Sequence, residues 1–203
     1  MSKEELIEAI YEIELDMFIN VHNVNGKAAC QSEIDTFRIM RISQFKTWPD
    51  NLLESYLSDL ESAKNQGINL MSEKYARMME STFPEEYEKI KDRLPTMTDE
   101  KKKLVDKLMR ILMDWESEIR QRYPFLGRRG RPLYSNQDSV MQTSYETYAR
   151  GELSVYSVDT LSRYLGHCEN LIAQGIKETE EVYKNMVQMY GYSSLEDAAE
   201  KLN

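Results

Sequence analysis

Glu14 and Arg41 are charged residues set in the middle of apolar stripes. At about 100° per residue, Ile7, Ile10, Met17, Phe18 and Val21 share one face of an N-terminal helix, and Glu14 falls at its centre. On the next helix the stripe is Ile34, Phe37, Met40, Phe45 and Trp48, with Arg41 and Gln44 inside it. Taking an ion out of water costs several kcal/mol unless it is paired. Glu14 and Arg41 are therefore expected to be buried and to meet each other or a shared group. Two outcomes fit: a structural ion pair, or a polar pocket between helices, where bundles often bind ligands.

Other candidates lie farther along. Glu73 and Arg77 stand i,i+4 on a helix that also carries Lys74, Met71, Tyr75, Met78 and Met79. That spacing ordinarily makes a surface pair worth a few tenths of a kcal/mol. Gly127–Pro132 (GRRGRP) concentrates positive charge, with Arg128, Arg129 and Arg131 and no acid between Pro124 and Asn136. Arginine forks and free backbone N–H groups suit phosphate or carboxylate. Pro132 restrains Arg131, so Arg131 is the arginine expected in an anion site, with Arg128 and Arg129 left to solvent. The segment Thr143–Ser157 adds Glu146, Arg150 and Glu152 among tyrosines. In a pocket, Arg41, Gln44, Arg77, Arg131, Arg150 and Glu152 would orient a small anion. Glu14 or Glu73 would then be the candidate general base.

Cys30 precedes a helix start and lies near Lys27. Both features favour a thiolate, so Cys30 is a candidate nucleophile expected to react with thiol reagents. Cys168 sits on an apolar face with Leu161, Leu165 and Ile172, the place of a packing residue. Two cysteines are too few for a disulfide scaffold. The two histidines, His22 and His167, have neither zinc spacing nor an E-x-x-H motif, so no metal is expected. There is no nucleotide-binding glycine fingerprint. Arg163 and His167 are separated by three residues, too few for the arginine–histidine pair of helical ribonucleases. No cofactor can be named.

The elements that must position these residues are helical. Only 8 Gly and 5 Pro interrupt 203 residues, mostly between amphipathic runs. Helices are expected over about 2–21, 32–48, 49–66, 69–81, 84–94, 98–123, 142–150 and 157–174, then one reaching Tyr190 and a short one capped by Ser193. A loop at Asn20–Gln31 and an irregular stretch from Pro124 to Val140 separate some of them. Short loops between long helices make antiparallel neighbours, hence an all-α bundle of eight to ten helices in a single domain spanning 1–203.

The net charge of −9 argues against a general nucleic-acid binder and against adhesion to anionic membranes. Acids within the first apolar stretch are unlike a signal peptide, and no window suits a membrane span, so a soluble cytoplasmic protein is expected. The expected partners are a small anionic molecule, a second copy in a homodimer, or another protein docked on Met- and Tyr-rich surfaces. The chain would then be a binding protein or enzyme for a small anionic metabolite, or a non-catalytic interaction module.

Several segments together carry a family resemblance. They are Cys30-Gln31, the run from Phe37 to Trp48 (FRIMRISQFKTW), SYLSDL from Ser55, EKYARMMEST from Glu73, GRP from Gly130 and ETYARGELSVYS from Glu146. The chain thereby resembles the bacterial domain-of-unknown-function family number 4125 along nearly its whole length. The resemblance implies an intracellular bacterial protein forming one complete domain. It brings no activity, cofactor or catalytic residue.

Overall fold

The computed structural model describes residues 1–21 and 33–202. Cys30, Lys27 and His22 lie outside the described residues. The chain forms eleven α-helices among the described residues: α1 Lys3–Ile19, α2 Ile34–Phe45, α3 Asp50–Asn65, α4 Leu70–Thr82, α5 Pro84–Ile90, α6 Asp99–Arg122, α7 Pro124–Arg129, α8 Tyr145–Leu153, α9 Val158–Ala173, α10 Glu178–Met189 and α11 Leu195–Leu202. The fold is all-α, with one isolated bridge, Ser139 to Gln142.

Local chemistry sets the helix ends. Ser2 and Glu5 close a capping box on α1. Asn69, Thr98, Ser144 and Ser157 each accept a backbone N–H from the first turn of α4, α6, α8 and α9. At the end of α3, Gly67 takes a φ of 68°, and the N–H groups of Gly67 and Ile68 donate back to Lys64 and Ala63. That is a left-handed stop which a residue without Cβ adopts at least cost. The last helix is capped by Ser194, which accepts the N–H of Asp197, rather than by Ser193.

The stretch after Pro124 corrects an expectation. Pro124 ends α6 and also opens α7 at its first position, where its missing N–H would have had no helical partner. Gly127, Arg128 and Arg129 are therefore helical, and only Gly130–Pro132 of the basic stretch is irregular.

Helix α1 packs on α3, α3 on α9, and α9 on α6; α10 bridges α2 and α6, while α4 lies against α1, α5 and α8. The main core gathers Phe45, Trp48, Leu53, Tyr56, Leu108, Tyr156 and Leu161. Trp48 meets Phe45, Tyr56 and Tyr156 edge-on at 5.3–6.0 Å, a favoured aromatic geometry. A second cluster, Ile119, Phe125, Leu126, Val187, Leu195 and Ala198, joins the end of α6 to α7, α10 and α11. Cys168 is fully buried, as its stripe predicts.

Candidate functional site

The aromatic core surrounds a charged centre. Arg41 on α2 and Glu14 on α1 face each other with their side chains 3% and 0% exposed. Arg41 donates from Nε and Nη2 to the two carboxylate oxygens of Glu14, both at 2.6 Å. Its Nη1 donates to Glu152 Oε1 at 2.5 Å and to Gln44 Oε1 at 2.9 Å. Glu152 accepts Lys74 Nζ on its other oxygen at 2.5 Å. Tyr56 donates to Glu14 at 2.6 Å, and Tyr156 donates to Glu152 at 2.7 Å. Two cations and two anions from four helices thus form a neutral chain, every charged head held by another or by a hydroxyl.

The helices had to approach closely for this. Gly151 lies where α8 crosses α4, and a Cβ there would stand 2.8 Å from Met78 Cγ and 3.3 Å from the Lys74 carbonyl. Without it α8 can press onto α4 and carry Glu152 between Arg41 and Lys74. Lys74 is 2% exposed, its ammonium 3.6 Å from the centre of the Tyr148 ring. Arg131 stacks near the same ring at 4.7 Å and donates to the Thr143 carbonyl at 3.2 Å.

Electrostatics follow the geometry. Burial by itself would raise the Glu152 carboxyl, but Arg41 and Lys74 outweigh it and hold the group well below the usual carboxylate range. Burial would lower Arg41, yet Glu14 and Glu152 drive it well above its ordinary value. Burial, with Glu14 or Glu152 beside the hydroxyl, pushes Tyr56 and Tyr156 far up. Arg41 and Glu152 are therefore held as ions, and Tyr56 and Tyr156 as neutral phenols. Such groups orient and stabilise; they have little proton to give or take at neutral pH.

The expected site residues are only partly brought together. Glu14, Arg41, Gln44 and Glu152 converge. Glu73 and Arg77 pair with each other at 2.7 Å, and Arg77 also donates to the Pro95 carbonyl. At 12–13% exposure they are more sheltered than a surface pair. Arg150 points outward to Asp106, both about half exposed. Arg131 joins through Tyr148 rather than through an acid.

A second buried group was not anticipated. Glu178 accepts Tyr164 at 2.6 Å, lies 2.8 Å from Thr47 Oγ1 and stands 3.6 Å from His167 Nε2. Glu116 accepts Arg120 at 2.6 Å and Tyr183 at 2.7 Å. Burial first, then Glu178 for Tyr164 and Glu116 for Tyr145 and Tyr183, pushes these phenols up. A signal for Glu116 existed: it lies between Trp115 and Ile119, inside the apolar stripe of α6. Among the described residues no group of three or more His, Cys, Asp or Glu could hold a metal ion. No described helix is long and apolar enough to cross a membrane.

The family described as "Protein of unknown function (DUF4125)" matches residues 4–200. The chain belongs to this family. The match runs from the first turn of α1 to the last turn of α11, so the charged centre lies wholly within the family unit. No curated protein and no solved structure matches the chain.

Proposed function

We propose that the chain is a non-catalytic helical module that docks a protein partner. The observation that carries this reading is the closure of the charged centre on itself. Arg41 and Lys74 already hold a carboxylate, that of Glu152, where an anionic ligand would have to bind. An added anion would meet Glu14 and Glu152 and would have to displace one of them. Buried polar groups so completely paired specify how helices meet. The contacts available to a partner lie outside, where Phe83, Val140, Met141, Ile172 and Tyr190 are 41–90% exposed.

The alternative of a small-anion binder is favoured by one observation. Arg131 is half-buried, oriented by Tyr148 and the Thr143 carbonyl, and has no carboxylate partner among the described residues.

The two readings separate by experiment. A photo-cross-linking amino acid is placed singly at Ile68, Met141, Ile172 and Tyr190 in living cells. The module reading expects a discrete, mass-spectrometrically identified protein from at least one position. It also expects no melting-temperature rise with carboxylates, phosphates or nucleotides. A rise of several degrees that vanishes in Arg131→Ala, with no cross-link at any position, supports the small-anion binder instead.

A further inference from the structure

The corner where α4 meets α5 carries an apolar groove of about 320 Å³ lined by Thr82, Phe83, Pro84, Glu85, Glu86 and Val140. Its size is at the lower end of the roughly 300–1,000 Å³ of ligand clefts, room for one bulky side chain. The wall opposite α5 is the turn closed by Ser139 and Gln142, which exchange backbone hydrogen bonds of 2.9 and 3.2 Å. That turn holds Val140 and Met141 in solvent, 63% and 90% exposed.

The turn is fastened down. Asp138 accepts Ser81 Oγ and the Ser144 N–H, both at 2.5 Å, and also the Thr147 hydroxyl. One carboxylate thus ties the turn to the end of α4 and the start of α8. A tied turn presenting two apolar side chains beside a half-exposed phenylalanine is an interaction surface rather than a fraying loop. Methionine suits such a surface because its flexible thioether adapts to the side chain it meets.

The rim shows what kind of segment fits. From Glu80 to Glu88 there are four glutamates and no lysine or arginine. Lys89 and Lys91 pair with Glu86 and Glu88, and Lys89 also feels Glu85; among the described residues Glu80 and Glu85 make no ion pair of their own. The most basic stretch of a second copy offers no anchor of this kind. There Arg128 and Arg129 are flanked by Phe125 and Leu126, which are 3% and 8% exposed.

Resting on the reading of the chain as a docking module, we infer that this groove binds a short segment of another protein, an aromatic or leucine side chain flanked by lysine or arginine. The apolar side chain enters between Phe83 and Val140, and the basic flanks lie over Glu85 and Glu80. Charge at the rim would set the association rate and its salt dependence, and the anchor would set the residence time.

The test is selection of random peptides displayed on phage against the full chain, with counter-selection on a Val140→Asp/Met141→Asp variant. Both positions are exposed, so the variant should fold, and an unchanged circular dichroism spectrum and melting curve confirm that it does. The expected result is a recovered consensus of an apolar anchor with basic neighbours. A synthetic consensus peptide should bind the double variant at least about tenfold more weakly and Glu85→Lys about threefold more weakly. The inference is overturned if no groove-dependent peptide emerges, if the consensus is acidic or uncharged, or if sedimentation shows self-association that the double variant abolishes. Cross-linking from Ile172 or Tyr190 alone would leave the module reading standing and sink this groove, so the two fail separately.

Discussion

Glu14 and Arg41, 27 residues apart, meet through two parallel hydrogen bonds of 2.6 Å in the buried centre of the molecule. The fork geometry uses both carboxylate oxygens and leaves Arg41 Nη1 free to reach Glu152. Removing Arg41 would leave the buried Glu14 carboxylate with the Tyr56 hydroxyl but no cation, and would take one of two cations from Glu152. Arg41→Ala is expected to lose about 3–5 kcal/mol in urea unfolding. Glu14→Leu combined with Arg41→Met leaves the Glu152–Lys74 pair intact and should recover at least half of that loss, which a double-mutant cycle would read as strong coupling.

Acid should act through Glu152. Its folded carboxyl is held below the ordinary value by Arg41 and Lys74, once they outweigh burial. The stability it adds is present above the unfolded value, about pH 4.3, and is lost as pH falls through the folded value. The wild type should weaken steadily on acidification below about pH 5. Glu152→Gln should be less stable at neutral pH and show a shallower fall in acid. Equal slopes in the two proteins would place the acid sensitivity elsewhere.

Alkali should report the phenols. Tyr56, Tyr145, Tyr156, Tyr164 and Tyr183 are all raised, chiefly by burial. A raised group contributes stability below its unfolded value, about pH 10, that is lost as pH rises further. These five of the thirteen tyrosines should therefore ionise only with cooperative unfolding. Phenolate absorbance and circular dichroism, followed together, should show the ionisation of these five coinciding with loss of helix.

Gly151→Ala tests the crossing of α4 and α8. Alanine is ordinarily the better helix former by about 1 kcal/mol. Here its Cβ would sit 2.8 Å from Met78 Cγ and 3.3 Å from the Lys74 carbonyl. The expected outcome is destabilisation by about 1–3 kcal/mol, with thermal melting as the measurement. A gain in stability would mean that α8 has slack against α4.

Arg131 and Arg150 should part company. Arg131 stacks on Tyr148 and donates to a backbone carbonyl, whereas Arg150 makes one half-exposed ion pair with Asp106. Arg131→Ala should cost about 1–2 kcal/mol and Arg150→Ala less than about 0.5 in chemical denaturation. Similar losses would show that the ring stack contributes nothing.

Glu14 and Arg41 were legible because a charge at the centre of an apolar stripe has nowhere to go but inward, and their periodicity said so without coordinates. The helix starts at Ser2, Thr98 and Ser157 are equally local, since each cap bonds its own first turn. Cys168 was legible for the same reason. Lys74 was not, because a lysine beside apolar residues usually carries its ammonium out to water along its own stem. It stays inside here only because Glu152 and the Tyr148 ring arrive from another helix. Tyr56 and Tyr156 read as core residues, and nothing in their spacing says which carboxylate each hydroxyl finds. Arg150 and Glu152, two residues apart on one helix, share a polar segment, yet one faces solvent and the other the core. Helical periodicity determines which residues share a face, because each side chain's direction depends on its own backbone. Which faces meet depends on how closely the helices pack, and at Gly151 that distance decides whether four charges find one another.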